Sequence, residues 1–162
     1  MEQVFTSDRI SFVKVSEELI PDYLTMVNDK DNVGRFISAR SNEKVYSAEN
    51  EIAWVCRKLE ENAPVFSMIE KATGKFIGNI ELMDRSDREG ELGIAITAKM
   101  QDRGFGSEAI PAFLTYVCGL YDLQRVTLKA RPFNVRALHV YEKCGFRIYD
   151  RTENDVFMEY LR

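Results

Sequence analysis

Between Met100 and Glu108 the chain reads Met-Gln-Asp-Arg-Gly-Phe-Gly-Ser-Glu, which sets Gln101, Gly104 and Gly106 in the spacing QxxGxG. The strand-like run Glu91-Leu-Gly-Ile-Ala-Ile96 precedes it. Ile110, Phe113, Leu114, Val117 and Tyr121 follow at the three- and four-residue spacing of one helix face. A strand therefore enters a glycine turn that opens a helix. The first turn of such a helix has N–H groups without intrahelical partners and carries the positive end of the macrodipole, so its chemistry is the binding of phosphate. Gly104 and Gly106 admit backbone conformations closed to other residues and let a ligand approach without meeting a Cβ. Arg103 adds a charge beside them. The same glycines would also serve a plain turn. Two relatives of the motif are disfavoured. No Lys-Ser or Lys-Thr follows, as a P-loop requires, and Ala109 stands where a dinucleotide fingerprint would place its third glycine.

The elements that must position this loop can be read in order. Arg9 to Val15 is strand-like, and Ser16 caps a helix reaching about Asn28, with Glu17 and Glu18 in its acidic first turn. Asp29 to Lys44 is polar and reads as a variable loop or short helix suited to substrate contacts. Ser47 caps a second helix whose apolar face is Ile52, Val55, Cys56 and Leu59, with Trp54 off the stripe as a rim residue. Val65 to Glu70 and Lys75 to Met83 form an antiparallel hairpin around Gly74, and Asp84 to Gly90 is a charged, solvated turn. After the glycine loop and its long helix, which breaks at Gly119 to Asp122, come the strand Arg125 to Ala130, a short helix capped by Asn134 and ended by Gly145, and the strands Arg147 to Asp150 and Val156 to Tyr160. Hairpins followed by a βα crossover make an α/β fold of α+β type, a mixed sheet with helices on its faces.

At 162 residues the chain has room for one domain, 1–162, with a substantial core. An apolar fraction of 45% and a charged fraction of 30%, with no apolar run of membrane length, indicate a soluble protein that neither crosses nor enters a membrane. The start MEQVFTSDRI lacks a signal-peptide pattern. The cysteines Cys56, Cys118 and Cys144 are too widely spaced for a disulfide framework or a metal site, so a cytoplasmic location without a metal is expected. A net charge of −4 argues against nucleic acid as a partner and tolerates a cationic substrate. His139 is the only histidine and falls on the side of its helix opposite Tyr141, so a surface position is expected for it. Cys144 reads as a small packing residue.

The glycine loop with its Ser107-Glu108-Ala109 continuation, together with Asn-x-Arg-Ala-Leu-x-x-Tyr-Glu-Lys-x-Gly-Phe from Asn134 to Phe146, resembles the GNAT superfamily of acyl-CoA-dependent N-acyltransferases. Within it the pattern is most similar to the ribosomal-protein-alanine and the spermidine or diamine acetyltransferases. The resemblance is clear from about Phe76 to Arg162. It implies a central, mostly antiparallel sheet of about seven strands with one splayed parallel pair, flanked by about four helices. It further implies that Gln101, Asp102, Arg103, Gly104, Phe105, Gly106 and Ser107 hold the pyrophosphate of acetyl-CoA. Ile94, Ala95 and Ile96 would bond the pantetheine and the acetyl carbonyl, Asn134 would contact the CoA arm, and Tyr141 would protonate the departing thiolate. Pro111 departs from an ideal phosphate-binding helix, because it lacks an N–H and crowds the carbonyl of Ser107.

The implied reaction is direct attack of a neutral amine on a thioester. Glu81 and Glu91 are the candidate bases that would take the amine's proton, directly or through water, and either can equally be a sheet-surface glutamate. Tyr141 can also be a core aromatic, and Asn134 only a cap. The expected acceptor is a small-molecule amine or a peptide N-terminus. The protein would act as a monomer or homodimer. A non-catalytic acyl-CoA sensor is the other class the motifs allow.

Overall fold

The computed structural model describes residues 1–34 and 45–162. β1 (Gln3–Thr6) and β2 (Ile10–Lys14) open the chain as an antiparallel hairpin. A 3-10 turn capped by Ser16 leads into α1 (Ile20–Val27), and Lys30–Gly34 forms a π-helical turn. α2 (Ala48–Glu60) starts at a reciprocal cap between Ser47 and Asn50, a device worth about 1 kcal/mol. Then follow β3 (Val65–Glu70), β4 (Phe76–Ser86), β5 (Glu89–Ile96), α3 (Phe105–Tyr121), β6 (Arg125–Ala130), α4 (Val135–Lys143), β7 (Arg147–Arg151) and β8 (Val156–Leu161). The sheet has eight strands in the order β1-β2-β3-β4-β5-β6-β8-β7, with β5 and β6 parallel.

The chain divides into two compact units, Met1–Glu81 with Ile94–Phe105, and Leu82–Gly93 with Gly106–Arg162. In the first, α1 and α2 contribute Ile20, Tyr23, Met26 and Val55 to a core shared with Val13, Val65, Ile69 and Phe76. A polar chain runs through it: the Tyr23 hydroxyl lies 2.6 Å from Ser67 Oγ, which in turn lies 2.7 Å from Asn79 Oδ1. Burial therefore leaves none of these three groups without a partner, as the cost of an unpaired buried dipole demands. In the second unit, β6 alternates buried Val126, Leu128 and Ala130 with polar neighbours, and the β8 pairing sets Leu128 opposite Met158.

Four local expectations change. β1 is an additional strand: only Val4 and Phe5 are apolar there, and the strand is secured by its hairpin partner, Phe5 stacking on Phe12 at 4.2 Å. The stretch from Asp84 to Gly90 is mostly strand, with only Asp87 and Arg88 forming the turn. Their charges point outward along a two-residue hairpin. Glu51 and Val55 are the buried residues of α2, flanked by half-buried Trp54 and Lys58, so of the expected apolar face only Val55 is inside, and Ile52, Cys56 and Leu59 are exposed. Trp54 packs on the core edge, its ring 5.8 Å from Tyr23. α3 also runs through Gly119 and stops only at Asp122, whose φ is 51°.

Candidate active site

The glycine loop lies between the 3-10 turn Ala98–Met100 and α3. Gly104 has φ +79°, a conformation that favours glycine, and Asp102 shares it at +60°. Gly106 has no positive φ and stands in the first turn of α3, so its missing side chain matters for approach and not for conformation. Phe105 is buried and anchors the helix start. Arg103 is committed within the protein. Its Nη2 lies 2.8 Å from Oε1 of the buried Glu70, and its Nη1 is 2.9 Å from Met100 Sδ. Arg9, immediately before β2, donates from Nη1 to the Arg103 carbonyl at 3.0 Å and lays its guanidinium 4.4 Å from the Phe105 ring centre.

The end of β5 carries Ile94, Ala95 and Ile96, all half-buried. The Gln101 amide donates to the Ile96 carbonyl at 2.9 Å, tying the loop to the strand that enters it. Gly78 of β4 makes room for this strand end: a Cβ there would fall 1.9 Å from the Ala95 carbonyl oxygen. The parallel register of β5 with β6 is short, ending at Glu91 opposite Thr127, although β6 continues to Ala130.

The two candidate bases differ. Glu81 is held by Lys58, whose Nζ lies 3.0 Å from Oε2, both side chains being mostly covered. Glu91 has no such clamp among the described residues. Burial pushes its carboxyl above the usual range, the nearby Asp84 adds to this, and Lys129 opposes it. A carboxylate raised in this way is better matched to accept a proton near neutral pH.

α4 brings Asn134 and Tyr141. Asn134 caps the helix, its Oδ1 accepting from the Ala137 N–H at 3.4 Å, and its side-chain amide has no partner among the described residues. The Tyr141 ring meets Phe146 edge-on at 6.3 Å, and its hydroxyl has no hydrogen-bond partner among the described residues. Burial, with a smaller contribution from Cys144, pushes the phenol up to about 12. Cys144 itself is raised by burial, which disfavours the thiolate a nucleophile needs. Its Sγ sits 4.0 Å from the Ser107 carbonyl, the one whose helical donor Pro111 cannot supply. His139 is exposed.

Of the expected site residues, Glu81, Ile94, Ala95, Ile96 and Gln101 to Phe105 belong to the first unit, and Glu91, Gly106, Ser107, Asn134 and Tyr141 to the second. The expected substrate-contact segment lies largely outside the described residues. Arg9, Glu70 and Gly78 were not legible beforehand, since each acts through a contact distant in sequence.

The sequence pattern of the acetyltransferase (GNAT) domain matches residues 9–147. The chain belongs to this family. The match reaches well ahead of Phe76, so the first half is family sequence too. A spermidine N(1)-acetyltransferase of Vibrio cholerae is 30% identical over 107 residues, covering 64% of this chain and 62% of that protein, so the matched stretch spans under two thirds of that relative's length. Two solved structures share the fold. A GNAT-family acetyltransferase from Bacillus anthracis superposes with a TM-score of 0.84 at 21% identity, covering 96% of each chain. A spermidine N-acetyltransferase from Vibrio cholerae, solved with CoA and spermine, gives 0.80 at 20%, covering 94% of this chain and 95% of that one.

Proposed function

We propose that this GNAT chain is an acetyl-CoA-dependent N-acetyltransferase, with residues 1–162 as one functional domain, acting on a primary amine of a polyamine-like molecule or a peptide N-terminus. The observation that carries this is the glycine loop, with Gly104 in a left-handed turn and an α3 first turn whose N–H groups have no intrahelical acceptor. Bound acetyl-CoA would supply the activated acyl group as a thioester. The first turn of α3, Phe105 to Ser107, would hold its pyrophosphate through backbone N–H groups. The backbone of Ile94 to Ile96 and the Asn134 side-chain amide would position the arm.

Glu91 is the preferred proton acceptor, because burial raises it despite the nearby Lys129 and no salt bridge holds it among the described residues, whereas Lys58 occupies Glu81. Tyr141 would direct its O–H toward the sulfur as negative charge develops there. The net charge of −4 and the exposed Asp31 and Glu49 suit a cationic acceptor.

Two measurements test the reading. Release of free thiol from acetyl-CoA should be stimulated by polyamines or peptide N-termini and not by anionic amines. Binding of CoA without turnover for any amine would indicate the acyl-CoA sensor instead. Gly106→Val should abolish most CoA affinity in calorimetry while the protein stays folded, since the added side chain blocks backbone approach.

A further inference from the structure

We infer that Arg9 is a positioning residue for CoA, a rivet that aims the Gly104 N–H at the phosphate groups; this rests on the acetyl-CoA reading above. A trans peptide is planar, and its C=O and N–H point in opposite directions. The carbonyl of Arg103 and the N–H of Gly104 belong to one such plane. Arg9 Nη1 donates to that carbonyl at 3.0 Å, so the hydrogen bond that draws the oxygen toward Arg9 turns the Gly104 N–H to the other side of the loop.

The same guanidinium is fixed by one more contact and seated beside a glycine. Its face lies 4.4 Å from the centre of the buried Phe105 ring, a favourable placement for a cation. Its Nη2 sits 3.3 Å from where a Cβ on Gly104 would project, so glycine at this position serves both the left-handed φ of +79° and the seating of Arg9.

The register of the sheet puts Arg9 there. Ile10 pairs with Glu70, and the Lys71 N–H donates to the Arg9 carbonyl at 2.8 Å. Arg9 and Glu70 therefore leave adjacent strand ends together. Glu70 takes the Arg103 side chain while Arg9 takes its carbonyl. The loop residue is held by both its main chain and its side chain, and the left-handed turn that follows has its direction set before any ligand arrives. Preorganisation of this kind strengthens binding by lowering the ordering cost.

Arg9→Gln and Arg9→Lys test the assignment, the second because lysine keeps the charge but lacks the planar fork that bonds the carbonyl while lying on the ring. In ligand-free protein, ¹⁵N relaxation should show the Gly104 amide becoming mobile, its order parameter falling below about 0.6 in Arg9→Gln. An amide that stays rigid overturns the rivet, whether or not CoA binds. Affinity for CoA should fall about 10- to 100-fold, the worth of a charged hydrogen bond, with KM for acetyl-CoA rising by the same factor and kcat holding within about twofold. The loss should be equal for 3′-dephospho-CoA and absent in KM for acetyl-pantetheine, which has no pyrophosphate. A loss confined to CoA makes Arg9 a direct 3′-phosphate contact and overturns positioning, and so does an equal loss with acetyl-pantetheine. Wild-type protein that binds no CoA defeats the acetyltransferase reading instead, and the Gly104 relaxation still decides the rivet.

Discussion

A phenol held near 12 stays protonated throughout the range in which the protein would work, so Tyr141 can donate at any such pH. The same elevation limits what it can do. An alkyl thiol ionises at about 8 to 9, so full transfer of a proton from Tyr141 to a free thiolate is uphill. In the proposed reaction its contribution would therefore be a hydrogen bond to sulfur that strengthens as the C–S bond breaks. Tyr141→Phe keeps the ring against Phe146, so stability and CoA affinity should hardly change, while kcat should fall by about 10²- to 10⁴-fold with KM for acetyl-CoA steady. Wild-type turnover in that variant, with chemistry rate-limiting, removes Tyr141 from the mechanism. As the proposed base, Glu91 would have the opposite role and a distinct signature. Because burial raises its carboxyl, the folded protein holds a proton there at higher pH than the unfolded chain does. That preference favours folding fully below the ordinary carboxylate range and is lost as pH rises through the raised value. Activity should climb through the same interval, as the base becomes available. Glu91→Gln should erase that climb, lower kcat by about 10²-fold or more, and be partly rescued at alkaline pH where more amine is neutral. At pH 7 its melting temperature should equal or exceed that of wild type, and a clear fall would mean that the carboxylate is structural.

Elements matter through where strand ends are allowed to go. β4 can lie close to the end of β5 only because Gly78 has no side chain, and the Ala95 carbonyl occupies the place a Cβ would take. Backbone has to move if that space is filled, since the obstructing atom is not the end of a flexible side chain. Gly78→Ala should cost about 1–3 kcal/mol by overpacking, measurable in urea unfolding. It should also reduce kcat/KM for acetyl-CoA by about 10²-fold, the order expected when a reacting arm is displaced by about an ångström. Unchanged kinetics would show that the strand end does not hold the thioester. This is also the scale at which the sequence was least informative. Caps at Ser16, Ser47 and Asn134, the Gly74 turn and the buried face of α3 could be read from spacing, because each is settled within a few residues. The α2 face could not, because Glu51 is drawn inside and Ile52 left outside by the sheet the helix packs on. Gly104 was recognisable as a turn residue, but the bond from Arg9 to the Arg103 carbonyl just before it spans 94 positions in sequence and has no local signal.

At the level of the molecule, chain and compact units do not coincide: the backbone passes from one unit to the other after Glu81, Gly93 and Phe105. β6 takes its parallel neighbour from Glu89–Glu91, a piece supplied well before the rest of the second unit. The fragment 106–162 therefore lacks the strand beside β6, and circular dichroism should find it largely unfolded when expressed alone. A native-like spectrum with a cooperative melt would contradict this. The Asp87–Arg88 turn, exposed at the tip of the β4–β5 hairpin, adds something further. A chain opened there yields two pieces, each holding part of both units and neither holding a whole one. Each half would be silent alone, and thiol release would return only when the halves are brought together, which makes this hairpin tip the natural place to split the protein into a two-component proximity reporter.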